Sequence, residues 1–285
     1  MKKTQKKSLW ADAWKRLLKN RLAIVGLVVL GLFIVMAIFA DFIAPYHYAE
    51  QHLDKTFLFP CKEFLLGTDD LGRDILSRLI YGARISLQIG FVSVAISVAI
   101  GGALGAVSGF YGGMADNIIM RLMDMMLAIP SVLMAIVIAS VLGSGMGNLM
   151  LAIGISSVPS YARIVRASIL SVRDEEFIEA ARLSGCSDLR IILRHIFPNI
   201  LAPVIVQVTL SMALAILSAS ALSFLGLGVS APLPEWGAMC AAGRNYIRGY
   251  WYMVTFPGLT IAIVVLALNV LGDGLRDALD PRMKK

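Results

Sequence analysis

Asp174-Glu-Glu-Phe-Ile-Glu-Ala-Ala-Arg-Leu-Ser-Gly-Cys-Ser-Asp-Leu-Arg-Ile-Ile-Leu-Arg-His-Ile-Phe-Pro198 is the longest strongly charged run lying between hydrophobic segments, and its punctuation predicts two short helices. Asp174 stands where a residue can cap the first helix, with Glu175 and Glu176 in an opening turn whose dipole favours negative charge. Gly185 falls where a left-handed, helix-ending residue is expected. Ser187 can cap the second helix, and Pro198 marks its expected end. Phe177, Ile178 and Ala181 recur at helical spacing, a narrow apolar stripe beside charge. A helical pair of this kind between membrane spans is expected to press against a partner in water.

The surrounding composition sets the class. Of 285 residues, 58% are hydrophobic and only 16% charged, with mean hydropathy +0.77. Charge-free runs cover Leu22–Ala40, Ile85–Ala115, Met125–Ala162, Ile196–Pro234 and Gly249–Gly272. About 20 helical residues cross a hydrocarbon core of roughly 30 Å. The Gly-Ser-Gly-Met-Gly-Asn break at 143–148 divides the third run in two. Six spans result, approximately 22–43, 86–109, 117–142, 148–170, 200–225 and 254–275. The runs are continuous rather than alternating, so the fold class is an all-α polytopic membrane protein rather than a barrel. The first run follows Met1-Lys2-Lys3 but is too long for a signal peptide. Asp41-Phe-Ile-Ala-Pro follows it without a cleavage site, so an uncleaved anchor is expected.

Lys and Arg orient the spans. With the N-terminus inside, 19 of the 26 basic residues fall in inner segments. Both termini and the 174–198 loop are therefore expected in the cytoplasm. The net charge of +7 reflects this topology and calls for no nucleic acid. Cys61 and Cys240 fall outside and could in principle pair, Cys186 falls inside, and free thiols are the default. Residues 1–21, with Trp10, Trp14, Leu17 and Leu18 among lysines, read as a basic amphipathic lead-in that meets the lipid bilayer at the inner interface.

Glu179-Ala180-Ala181, three residues, Gly185, nine residues, then His195-Ile196-Phe197-Pro198 resembles the EAA loop of ABC importer permeases. His195 stands where an aliphatic residue is common in that family, and Phe197 where Leu is common. Gly67-Thr-Asp-Asp-Leu-Gly-Arg-Asp74, followed by Ser77-Arg and Gly82-Ala-Arg84, resembles the second permease subunit of dipeptide, oligopeptide and nickel importers. The resemblance implies a type I ABC importer permease fold in a bacterial inner membrane. It implies that the loop is a coupling helix seated in a cleft of an ATPase, with Glu179, Ala180, Ala181, Gly185, Phe177, Ile178 and Pro198 as the coupling residues. It also implies the partners: a second homologous permease, two ATP-binding subunits and an extracytoplasmic substrate-binding protein. ATP and magnesium would belong to the ATPase, with no cofactor in this chain, which is not itself an enzyme. Peptides are the implied cargo, with nickel, glutathione or another small solute as alternatives.

The residues also carry readings of their own. Asp69, Asp70, Arg73 and Asp74 place both signs of charge together, ahead of an apolar stripe at Ile75, Leu76, Leu79 and Ile80. That pattern fits a helix lying along the bilayer surface, or an outer lid meeting the binding protein. The acidic spacing is not that of a calcium loop, and His47, His52 and Cys61 are too irregular for a metal site. Ser93, Ser97, Gly101, Gly105 and Gly109 put a small residue at every fourth position, an interface for close helix approach. In the third span Arg121 and Asp124 are spaced to pair. Met120, Met123, Met125, Met126 and Met134 surround them, suiting a mobile pathway or simple packing. Pro130 and Pro159 are expected to kink the third and fourth spans. Hydroxyls at Ser156, Ser157, Ser160 and Tyr161 stand near the second kink. Pro232-Leu-Pro-Glu-Trp-Gly237, Arg244, Arg248 and Trp251-Tyr252 read as a turn and an interfacial aromatic belt.

Two absences restrict the mechanism. No Gly-x-x-x-x-Gly-Lys-Ser/Thr motif is present to cradle nucleotide phosphates. Span centres carry no Asp, Glu, Lys or Arg of the kind ion-driven carriers use. A transporter with neither must borrow its energy, and the 174–198 loop is the place to borrow it. An ion-coupled secondary carrier and a non-transporting scaffold are the rival classes. The chain divides into 1–85 (lead-in, first span and outer segment), 86–275 (permease core) and a 276–285 tail.

Overall fold

Asn20 starts the first long helix by accepting the backbone N–H groups of Leu22 and Ala23 at 3.1 and 3.2 Å, which satisfies two of the donors every helix start leaves free. The computed structural model describes residues 9–279. The basic residues of 1–8 and 280–285 that entered the charge reading lie outside the described residues. Helices α1 (Leu9–Leu17), α2 (Arg21–Ile38) and the single turn α3 (Ala40–Ile43) come first. The described residues are helical throughout the spans and form no strand, only one isolated bridge between Thr68 and Asp74.

The second long helix corrects the expected surface helix. Asp74 caps α4 (Ile75–Tyr111) by accepting Ser77 N–H at 2.8 Å and Ser77 Oγ at 2.6 Å. Ile75, Leu79 and Ile80 therefore belong to the first turns of a 37-residue helix, buried inside the protein rather than lying along a bilayer surface.

The third expected span, 117–142, is broken. Helices α5 (Gly113–Leu127) and α6 (Ser131–Leu142) meet at 88°. Pro130 sits at the break as the residue before α6, because its ring and missing N–H cannot continue α5. Helix α7 (Met146–Leu170) carries Pro159 in its interior and remains one helix of 25 residues. Ser156 Oγ donates to the Ile153 carbonyl at 2.9 Å, not to the Ile155 carbonyl that Pro159 leaves free.

After the loop helices α8 (Glu176–Leu183) and α9 (Asp188–Arg190), Ile191–Ile196 winds as π-helix directly into α10 (Phe197–Phe224). Pro198 was expected to end the second loop helix. It lies instead in the first turn of α10. A wider π turn, with Phe197 N–H reaching the Ile192 carbonyl, accommodates the proline ring without stopping the helix. Helices α11 (Trp236–Gly243) and α12 (Tyr252–Leu279) complete the chain.

Four stretches are long and apolar enough to cross a membrane: α2, α4, Asp188–Phe224 and α12, with the bent α5–α6 pair a fifth. The sixth expected span is α7, whose 25 residues rise about 37 Å but whose serines, Asn148 and Arg163 make it less apolar. It can be so because it is a central helix, sharing with α4 the largest helix–helix interface among the described residues.

That interface answers what the small-residue stripe is for. A Cβ on Gly101 would lie 2.5 Å from the Val158 carbonyl oxygen, and one on Gly105 would strike the Ala162 carbonyl. Gly109 faces Ile169, and Ser97 Oγ donates to the Gly154 carbonyl at 2.7 Å. With no hydrophobic drive between helices in lipid, such close backbone approach is what holds them.

The chain's ends and loops sort to two ends of this bundle. At one, Leu17 and Ala23 pack on Leu271 and Ala278, and the α4 terminus packs on α7 and α8. At the other, residues 44–74 fold back over the starts of α4 and α12, with Tyr252 OH donating to the Thr68 carbonyl at 3.1 Å. The expected aromatic belt is largely core. Trp236 and Tyr252 are fully buried, Trp236 Nε1 donating to the Leu79 carbonyl at 3.1 Å, and only Trp251 is exposed. The cysteines are all free; Cys61 and Cys240 form no bridge.

Candidate functional site: the 171–198 loop

α8 begins one residue later than the capping pattern predicts. Glu175 occupies the cap position without a side-chain bond, leaving Asp174 outside the helix and Glu176 and Glu179 in its first turn. The end follows expectation. Gly185 adopts φ +75°, its N–H bonds the Arg182 carbonyl at 2.9 Å, and Cys186 N–H bonds the Ala181 carbonyl at 3.1 Å. These two bonds are a Schellman closure, in which a left-handed residue lets the chain turn back and satisfy the last carbonyls. Cys186 then tucks against the cluster that α8 covers.

The apolar stripe divides. Ile178 is fully buried and Ala181 is buried with it, both packed with Phe110, Val165, Ile169, Ile191, Ile196 and Ile200 of the same chain. They fasten α8 to the bundle, which corrects the expectation that they seat in a partner's cleft. Of the expected stripe only Phe177 is exposed, at 42%. The outward apolar surface is completed by Leu183, 90% exposed, and by Leu189 and Leu193 on the following turns, residues the sequence reading missed. Leu183 stands two residues before Gly185, close to the turn and off the buried stripe; that placement was the available signal. Glu179 and Ala180 are also exposed, so α8 offers acid and hydrocarbon together toward water.

Arg166 near the end of α7 and Arg173 and Arg182 of the loop all engage the α4–α5 corner. Arg166 grips Asp116 with Nε and Nη2, each 2.6 Å from a carboxylate oxygen, and Ser108 Oγ donates to the same carboxylate. Arg173 Nη1 donates to the Gly109 carbonyl at 3.0 Å, and the Arg182 guanidinium lies 5.4 Å over the Phe110 ring. The expected Arg121–Asp124 pair does not form; Asp124 pairs with Arg163 of α7 at 2.7 Å. Asp124 takes its partner from the helix packed against α5 rather than from its own. A cleft of about 650 Å³ opens between α7, α10 and α12, with Ser168, Ser171, Asn199, Gln207 and Arg276 among its lining.

The acidic cluster at the opposite end turns inward. Asp69 Oδ1 accepts Leu71 N–H and Arg73 N–H, both at 2.9 Å, and its Oδ2 accepts Arg73 Nε at 2.6 Å, with Arg78 Nε 3.6 Å away. Asp69, Arg73 and Asp74 are buried, and only Asp70 is partly exposed. The group clasps the outer segment to α4, which leaves Asp70 as the member able to meet another protein. Just outside the bundle's spans, the Glu63 carboxylate beside Lys55 raises that ammonium's pKa. Burial, with Glu235 nearby, pushes the Cys240 thiol up to about 11.

Comparison with known proteins agrees with this arrangement. The family model described as binding-protein-dependent transport system inner membrane component matches residues 101–285. The model for the N-terminal TM domain of oligopeptide transport permease C matches residues 8–60. The dipeptide transport system permease protein DppC of Alkalihalophilus pseudofirmus is 50% identical over 97% of this chain and 91% of its own length. The di/tripeptide permease DppC of Pseudomonas aeruginosa is 49% identical over 96% and 92%. The glutathione transport system permease protein GsiD of Escherichia coli O1:K1 is 44% identical over 100% and 94%. Among solved structures, a chain of the inward-facing MetNI methionine ABC transporter superposes with a TM-score of 0.57 at 18% identity, covering 71% of this chain and 96% of that one. Fold, loop and relatives together make this chain a member of the binding-protein-dependent transport system inner membrane components, the permease subunits of ABC importers.

Proposed function

We propose that this chain is one of two permease subunits of a bacterial importer of short peptides, driven by ATP-binding subunits that dock on α8 at the cytoplasmic face. The observation that carries the reading is the split character of α8. Ile178 and Ala181 bolt it to the membrane helices, while Phe177, Glu179 and Leu183 are exposed, with nothing among the described residues covering them. A helix fixed on one side and apolar on the other is built to pass a push inward. The basic bias of the same end supports a cytoplasmic location. The cargo reading rests on relatives named for dipeptides and di/tripeptides and on one named for glutathione, itself a tripeptide. An extracytoplasmic binding protein would deliver the peptide at the end formed by residues 44–74, with Asp70 the contact candidate. ATP and magnesium would be held by the docked subunits.

The test uses the complex reconstituted in proteoliposomes with its second permease, ATPase and binding protein, and radiolabelled alanyl-alanine as cargo. Uptake should require ATP on the α8 side. Glu179→Lys should leave hydrolysis running while uptake falls roughly tenfold, the effect of replacing one charge-assisted contact by repulsion. Uptake by this chain alone without ATP would establish a secondary carrier instead. Wild-type uptake by Glu179→Lys would remove α8 from the coupling path.

A further inference from the structure

Helix α5 is a separate rigid piece. Gly112 and Gly113, both with positive φ (+65° and +56°), join it to α4, and the 88° break at Pro130 separates it from α6. Of its 15 residues only Met123 is buried; Met114, Ile118, Leu122 and Met125 are exposed. Met123 sits against Val158 and Ala162, with Ile119, Met120 and Met126 of α5 packed around them. Besides this apolar seat, the polar attachments of α5 to α7 among the described residues are two ion pairs. Arg163–Asp124 is more than half exposed on both sides, and such pairs contribute little. Asp116–Arg166 is different: bidentate, with side chains 19% and 31% exposed, and reinforced by Ser108.

The loop addresses the same corner. Going along the chain from α7 into α8, Arg166, Arg173 and Arg182 engage Asp116, the Gly109 carbonyl and the Phe110 ring, all within the eight residues 109–116 spanning the end of α4 and the start of α5. A displacement of α8 therefore cannot leave this corner undisturbed, and the paired glycines are where the backbone can yield. We propose that the α4–α5 corner is the joint through which movement of α8 swings α5, with Asp116–Arg166 its positioning pair and Arg182 its contact from α8. This rests on the reading of α8 as the ATPase-docking helix. Arg166 gives α5 its grip, and Arg182 carries the push to the corner.

The experiment measures alanyl-alanine imported per ATP hydrolysed in the complete reconstituted complex. Asp116→Asn and Arg166→Gln should each lower the ratio roughly tenfold, the scale of one lost charge-assisted bond, with hydrolysis held within about twofold. The double variant should be no worse than either single one, because both remove the same link. Asp116→Glu, which keeps the charge, should recover most of the ratio. Arg182→Gln, changed on an exposed residue, should give a similar fall and decides the matter if the Asp116 and Arg166 variants fail to assemble. An unchanged ratio in the assembled variants, or additive losses in the double one, would overturn the proposal. Glu179→Lys run alongside separates the two readings: if it alone uncouples, the joint is wrong and the docking helix stands; if it stays coupled, the docking reading itself fails.

Discussion

Gly105→Ala and Gly102→Ala differ by three positions on one helix and should move stability in opposite directions. A methyl on Gly105 would strike the Ala162 carbonyl oxygen, lie 3.1 Å from that carbonyl's carbon and 3.0 Å from Val165 Cβ. Two of the three atoms are backbone, so α7 must retreat rather than a side chain rotate. Overpacking of that kind costs about 1–3 kcal/mol. Retreat also stretches the Ser97–Gly154 bond of 2.7 Å, and interhelical bonds in membranes average about 0.6 kcal/mol. The total is about 1.6–3.6 kcal/mol, roughly 15- to 400-fold in the unfolding equilibrium. At Gly102 a Cβ meets nothing within 4 Å, so alanine there keeps only its helix-propensity advantage, up to about 1 kcal/mol. Both variants would be titrated with SDS in mixed micelles and followed by far-UV circular dichroism. Equal midpoints for the two variants would refute the assignment of the α4 stripe to α7.

Gly185→Val should fail by backbone strain alone, since φ is +75° and no atom lies within 4 Å of the added Cβ. About 1–3 kcal/mol of local strain should lower import per ATP, while Gly185→Asn, tolerant of left-handed backbone, should stay near wild type in the same transport assay. Asp69→Asn removes the nearest counter-charge from two buried arginines, Arg73 and Arg78, leaving Asp70 3.6 Å from Arg73, and should cost up to about 3–5 kcal/mol. Limited trypsin digestion should then cut the 44–74 segment at protease levels the wild type survives; unchanged resistance would show the clasp to be dispensable. An impermeant maleimide added outside intact cells should label exposed Cys61 and spare Cys186 at the opposite end, and the reverse pattern would invert the topology. Cys240, with its thiol pushed up to about 11, is the neutral acid below that pH and the reactive thiolate above it. Alkylation of Cys240 in purified protein should therefore rise about tenfold per pH unit from pH 8 to 10; a plateau below pH 9 would contradict its burial.

The spans, the loop and Gly185 were legible because each rests on a one-dimensional rule: length of apolar run, charge between runs, glycine where φ must be positive. What the sequence hid were pairings. Arg121 and Asp124 have ideal helical spacing, yet Asp124 turns to Arg163, because a charge on one helix is chosen by whichever helix packs against it. Asp116 and Arg166 lie 50 residues apart, and no local pattern links them. The run from Ile75 to Ile80 looked like a surface helix because its charged lead-in, Asp69 to Asp74, looked solvated. Once Asp69 and Arg73 satisfy each other, that lead-in can be buried and the helix can continue inward. Trp236 reads, with Pro232–Gly237, Arg244, Arg248 and Trp251-Tyr252, as part of a turn and an interfacial belt, but Gly82 leaves a slot on α4 that admits its ring.

The division of the α8 stripe follows from a limit of periodicity itself. Spacing reports that one side of a helix is apolar, and it is silent on what covers that side. Here α8 spends Ile178 and Ala181 on its own bundle, and the residues left for a partner are those flanking the stripe, Phe177 before it and Leu183 beyond it. A loop that used its whole apolar face on the partner would be free to hinge at Ser171–Glu175 and would absorb a push as bending. One that used it all internally would offer the partner nothing but charge. The observed split avoids both outcomes. In the proposed role, the buried half would make α8 move with α7 and the α10 entry, the π turn at Ile191–Ile196 keeps that entry continuous through Pro198, and the exposed half would receive the load. Rigidity toward the membrane and stickiness toward water are both needed for a helix this short to act as a lever, and two turns suffice because each face does one task.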